Sequence, residues 1–159
     1  MTKHHITLRN AVPADLPRCI AIRGLTRDNP IPEDTLATIG VTPQSWQTPL
    51  QQGVFTGVVA EHEGTIIGYC FGDLTTGEVL VLALLPDYEG AGTGKRLLAD
   101  VVDKLTASGH SEPWLAAAPE PTVRAHGFYR KLGWVPTGQR DAQGDEILKY
   151  STPTQGQQK

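Results

Sequence analysis

Between Glu78 and Leu105 the chain passes through three textures in order. An apolar run, VLVLALL, ends at Pro86; the glycine-rich EGAGTGK follows at Glu89–Lys95; then Leu97, Leu98, Val101, Val102 and Leu105 recur at helical spacing. The apolar run predicts a strand over Glu78–Leu85, buried in a sheet on both faces. The spacing predicts an amphipathic helix over Arg96–Leu105, stopped at Gly109. A strand that enters a helix through a glycine turn gathers backbone N–H groups and the positive helix end at one spot, which suits a phosphate or diphosphate. Glycine permits positive φ and close approach of the backbone to the anion. Lys95 falls in the first helical turn, where a cation opposes the helix dipole and a bound anion would relieve the conflict.

Similar punctuation organises the rest of the chain. A strand is expected at His5–Arg9 and a helix from Pro13 to Gly24, followed by a short helix within Pro32–Ile39 and another after Thr42. Phe55–Glu61 and Thr65–Asp73 read as strands around the turn His62-Glu63-Gly64. Beyond the amphipathic helix come a strand at Pro113–Ala118, a helix over Thr122–Leu132 and a strand pair, Trp134–Thr137 with Glu146–Tyr150. The order β-α-α-β-β-β-α-β-α-β-β predicts an α+β domain with one central sheet over residues 1–150, and residues 151–159 form a polar tail. At 159 residues one domain is the expectation, with a core that needs no staples.

Composition excludes several classes. No apolar run approaches a membrane span, and the N-terminus carries no signal-like apolar stretch. Two cysteines, Cys19 and Cys70, with no CxxC argue against a disulfide framework or a cysteine metal site, so no metal is expected. Net charge is −3, without a basic block, which argues against nucleic acid as a partner. A cytoplasmic location is the default expectation.

The spacing of the glycine loop separates three phosphate-binding patterns. A Walker A loop would need Gly at position 89 and Ser or Thr at position 96, where the chain has Glu89 and Arg96. A dinucleotide fingerprint needs a wider glycine spacing directly after the first strand, whereas Gly90-Ala91-Gly92-Thr93-Gly94 follows the fourth. The segments LALLPDYEGAGTGKRLL and AHGFYRKLGW resemble the GNAT acetyltransferase superfamily, and the element order over residues 5–150 is similar to that fold. In that superfamily the loop reads Gln/Arg-x-x-Gly-x-Gly/Ala; here Glu89 stands at the first position.

The resemblance implies an acetyl-CoA-dependent N-acetyltransferase acting on a primary amine of a small molecule or peptide. Acetyl-CoA is the implied co-substrate. Gly90, Ala91, Gly92, Thr93, Gly94 and Lys95 would cradle its diphosphate, and main-chain groups of Leu82, Ala83 and Leu84 would pair with its pantetheine arm as an added strand does. Thr122 stands where the family often carries a coenzyme-contacting Asn. Glu89 beside a diphosphate is repulsive unless it turns outward and leaves binding to the amides. Tyr129 matches the family tyrosine that protonates the leaving thiolate. Glu78, fourteen residues before Gly92, matches the base of one branch of the family, though a solvated strand-start carboxylate and a water relay stay open beside it. The branch with its base on the next strand has Ala117 there instead.

Gly127 reads as a point of close approach, His110 as solvent-facing and Cys70 as core. The acceptor would be lined by the Thr26–Trp46 segment, with Asp28, Glu33, Asp34 and Asp73 attracting a cationic amine. A homodimer is the fold-level expectation. A binding module that senses acyl-CoA without turnover is the alternative.

Overall fold

A computed structural model of the chain describes residues 5–27, 30–120 and 124–151. Strand β1 (Ile6–Asn10) leads through a 3-10 turn (Pro13–Asp15) into α1 (Leu16–Arg23), α2 (Glu33–Thr38) and α3 (Pro43–Gln51). Then come β2 (Phe55–His62), β3 (Thr65–Asp73), β4 (Val79–Leu84), α4 (Thr93–Ala107), β5 (Trp114–Ala117), α5 (Arg124–Lys131), β6 (Val135–Arg140) and β7 (Glu146–Lys149). This is the α+β class read from the sequence, but three helices separate β1 from β2 where the predicted order has two.

Local chemistry explains the main boundaries. Pro43 opens α3 behind a reciprocal cap: Ser45 N–H donates to Thr42 Oγ1 and Thr42 N–H donates to Ser45 Oγ, both at 2.9 Å. Glu63 and Gly64 both take positive φ, as the two-residue hairpin between His62 and Thr65 requires. Helix α4 buries Leu97, Leu98, Val101, Val102 and Leu105 in one stripe, as the spacing predicts. It starts at Thr93 rather than Arg96, because Gly92 caps it at φ 86° and the end of the glycine motif becomes its first turn. The expected start of α5 at Thr122 lies outside the described residues.

The expected single sheet is divided. Strands β1-β2-β3-β4 form one antiparallel sheet and β5-β7-β6 a second. They meet at one parallel bridge, between Glu78 and Trp114, and part beyond it. One core lies between the sheets and α4, with Val58, Cys70, Leu97 and Leu115 buried in it; the other lies under α1 and α3 with Leu16, Ile22, Tyr69 and Phe71. This division corrects the reading of β4 as buried on both faces. Leu80, Val81, Leu82 and Leu84 are only partly buried, because β4 is an edge strand whose free side borders a cleft. Its continuous apolar run reflects two cores plus a cleft wall. His110 is also not solvent-facing: its Nε2 lies 2.7 Å from the Leu74 carbonyl and its ring packs against Gly77.

Candidate active site

The parting of β4 and β5 creates a cleft of about 610 Å³ that reaches both faces of the divided sheet. That volume lies in the range of small-molecule and cofactor sites. One end is walled by Gly90, Gly92, Gly94, Lys95, Arg124 and Phe128; the other includes Arg23, Leu36, Ile39, Trp46, Tyr69 and Phe71.

The glycine loop forms the first end. Gly90 and Gly92 hold φ of 88° and 86°, the left-handed region that glycine enters without strain. A Cβ added at either would meet nothing within 4 Å, so the loop backbone borders open space. The first bond tying α4 to its cap runs from Arg96 N–H to the Gly92 carbonyl. The N–H groups of Thr93, Gly94 and Lys95 therefore have no partner within the helix and point along its axis at the cleft. A Cβ at Gly94 would meet the Phe128 ring at 3.5 Å, an ordinary contact, so α4 passes close to the α5 side chain here. These residues fit an anionic diphosphate: amides with no acceptor within the helix, open space beside Gly90 and Gly92, and Lys95 alongside.

The β4 wall is set by register. Leu85 N–H donates to the Ile67 carbonyl at 2.9 Å, and Tyr69 pairs with Ala83. Alternation along an antiparallel ladder turns the main-chain groups of Ala83 toward β3 and those of Leu82 and Leu84 toward the gap. Within the triplet Leu82, Ala83 and Leu84, then, two residues present backbone groups to the cleft and the third presents its small side chain.

Tyr129 lies on the opposite wall, held edge-to-face by Phe128 and Trp134 at 5.2 and 6.0 Å. It is 8% exposed and faces the cleft. Burial, with the neighbouring Cys70, pushes its phenol above the ordinary tyrosine range, so the group stays protonated at neutral pH. Glu78 sits where β4 and β5 join. It is half-buried, and the cleft wall begins at its neighbour Val79. Burial raises its pKa, and Asp73 and then Asp141 add to the rise.

Several wall residues carried no sequence signal. Arg23, at the end of α1, feels Tyr69 and Tyr129 electrostatically, while burial pulls its pKa down. Asp145 enters the wall from the loop between β6 and β7, its pKa raised first by burial. The acidic side chains expected to greet an acceptor are elsewhere. Glu33 and Asp34 are exposed on α2 outside the wall, and Asp73 caps a turn by accepting from Thr75 N–H at 2.8 Å; Asp28 lies outside the described residues. Trp46 does line the cleft, and it also packs edge-on against Phe55 and Phe71. Cys70 is core, fully buried. Gly127 is exposed with nothing near its would-be Cβ. Thr122 lies outside the described residues.

Glu89 departs most from expectation. Its side chain is 13% exposed rather than turned outward, and Oε1 accepts from Arg27 Nε at 2.7 Å, with Arg124 Nε at 3.9 Å. Among the described residues no three His, Cys, Asp or Glu side chains gather as a metal site requires. No described helix is long and apolar enough to cross a membrane.

Comparison with known proteins agrees with this geometry. A family model for the acetyltransferase (GNAT) domain matches residues 54–136. Uncharacterized N-acetyltransferases of Mycobacterium tuberculosis and Mycobacterium bovis are 34% identical over 86 residues, which is 52% of this chain. The match spans about half the length (54%) of those relatives. The PaiA N-acetyltransferase of Thermoplasma acidophilum, solved in complex with coenzyme A, superposes with a TM-score of 0.72 at 22% identity, covering 93% of this chain and 99% of that one. The ribosomal-protein-S18-alanine N-acetyltransferase of Escherichia coli superposes with a TM-score of 0.66 at 19% identity, covering 98% and 99%. From the glycine loop, the parted strands and the family match together, the chain belongs to the GNAT acetyltransferase family.

Proposed function

We propose that the chain is an acetyl-CoA-dependent N-acetyltransferase that acetylates a primary amine of a small molecule or peptide. The observation that carries this reading is the cleft between β4 and β5. It joins a ring of helix-end amides at one end to an aromatic-lined chamber at the other, with Tyr129 in its wall. When bound, acetyl-CoA supplies an activated acyl group as a thioester.

The chain's own groups then have distinct tasks. The amides from Gly90 to Lys95 hold the diphosphate, and the outward main-chain groups of Leu82 and Leu84 align the pantetheine arm. An amide on this edge also stabilises negative charge on the carbonyl oxygen as the amine attacks. A free alkyl ammonium keeps its proton to about pH 10, so a base must take it before or during attack. Glu78 serves as that base through water, since the cleft wall starts one residue beyond it. Its raised pKa suits a base that works near neutrality. As the C–N bond forms and the C–S bond breaks, Tyr129 passes its phenolic proton to the departing sulfur and regains one from solvent. The chamber around Arg23, Leu36, Ile39 and Trp46 receives the acceptor.

The test is thiol release from acetyl-CoA across a panel of small amines and peptides, with calorimetry in parallel. Amine-dependent release supports the transferase. Tight binding without release under any amine would mark an acyl-CoA sensor instead, and absence of binding would remove the reading altogether.

A further inference from the structure

Glu89 stands where the family usually carries Gln or Arg, beside amides poised for an anion. Electrostatics alone makes a carboxylate unwelcome there. Yet the side chain is drawn in to 13% exposure, and one of its oxygens contacts two guanidinium groups, Arg27 at 2.7 Å and Arg124 at 3.9 Å. These arginines come from different parts of the chain: Arg27 follows α1 and Arg124 begins α5. Both side chains are more than half exposed, so their charged ends reach the mouth of the cleft. Both line it together with Gly90, Gly92, Gly94 and Lys95.

Two guanidinium groups drawn to one carboxylate oxygen repel each other, and water screens part of that repulsion because both side chains are more than half exposed. The shared carboxylate offsets what remains. Arg27, Lys95 and Arg124 bring three cationic side chains to the loop beside the Glu89 carboxylate. Guanidinium forks suit phosphate oxygens, and groups already held in place lose less freedom on binding. We propose that Glu89 is a positioning residue: it holds Arg27 and Arg124 at the glycine loop so that both engage the coenzyme's diphosphate. The inference rests on the reading of the cleft as an acetyl-CoA site. It assigns the departure from the family pattern a role rather than a defect.

The two views of Glu89 predict opposite signs. If it is only a misplaced charge, Glu89→Gln, which installs the family's usual amide, tightens acetyl-CoA binding. If it positions the arginines, the same change weakens binding by about 5–20-fold, roughly 1–2 kcal/mol by the tenfold-per-1.4 kcal/mol conversion. The measurement is calorimetric affinity for acetyl-CoA and for 3′-dephospho-CoA, on wild type, Glu89→Gln, Glu89→Asp, Arg27→Ala, Arg124→Ala and the Arg27→Ala/Arg124→Ala/Glu89→Gln combination. Expected results are equal weakening toward both ligands in Glu89→Gln, partial retention in Glu89→Asp, and no further loss when Glu89→Gln is added to the arginine deletions. Unchanged or tighter binding in Glu89→Gln overturns the inference. So does a loss confined to the ligand that carries the 3′-phosphate. Wild type that binds neither ligand overturns the acetyl-CoA reading itself, a distinct result.

Discussion

Replacing Tyr129 with Phe separates catalysis from packing. The ring keeps its edge-to-face contacts with Phe128 and Trp134, so only the hydroxyl is lost. One hydroxyl at a cleft wall is worth about 1 kcal/mol or less of folding stability. At this chain length that moves Tm by roughly 2–4 °C. The catalytic effect is larger and can be bounded. A positioned general acid contributes about 10²–10⁴-fold. The departing group here is a thiolate, whose conjugate acid has a pKa near 8.5, so it leaves tolerably well unprotonated. The effect therefore belongs at the low end, about 10²-fold in kcat, or roughly 2.7 kcal/mol of barrier. KM for acetyl-CoA should hold within about 3-fold, because the contacts proposed for the diphosphate and pantetheine lie on other walls. Because burial raises the phenol's pKa, wild-type kcat should show no loss of a Tyr129 proton between pH 7 and the ordinary tyrosine range near 10. Thiol release under saturating acetyl-CoA, with thermal unfolding of both proteins, makes the measurement. A variant that folds normally and turns over within 2-fold of wild type would refute the acid role and leave Tyr129 as packing.

Other outcomes follow from the same structure. Glu78→Gln should lower the rate about 10²–10⁴-fold and abolish the acidic limb of the pH–rate profile; an unchanged limb assigns the base elsewhere. Because burial raises the Glu78 pKa in the folded state, the native protein binds that proton more tightly than the unfolded chain does. Wild-type stability should therefore fall as pH rises from the ordinary carboxylate range through the raised value, and Glu78→Gln should lack that fall in denaturant titrations. Asp15 shows the reverse sign. Arg9 grips both its oxygens at 2.9 Å, and Val12 N–H donates to it at 2.8 Å, which holds its pKa down. Asp15→Asn should cost about 1–2 kcal/mol at neutral pH, discounted for the partly exposed Arg9, and the difference should vanish as pH falls below the ordinary carboxylate range near 4. Gly57→Ala would set a Cβ 2.5 Å from the buried Phe71 ring, so unfolding should become easier by about 1–3 kcal/mol; equal stability would mean that the ring has room to shift.

What the sequence determined by itself is the local part of this molecule. Alternation, helical spacing and glycine punctuation act over a few residues, so the strands, the hairpin turn before Thr65, the α4 stripe and the glycine turn that enters α4 were legible. Tyr129 and Glu78 were legible as matches to family positions. Tertiary structure alone decided the rest, because it turns on contacts between residues far apart in the chain. VLVLALL is equally apolar whether its strand is central or borders a cleft; only the loss of pairing with β5 beyond the Glu78–Trp114 bridge opens the site. Glu89 reads from its neighbours as a repelled carboxylate facing water. Arg27, 62 residues earlier, draws it in, since an opposite charge at 2.7 Å offsets part of the cost of taking a carboxylate out of water.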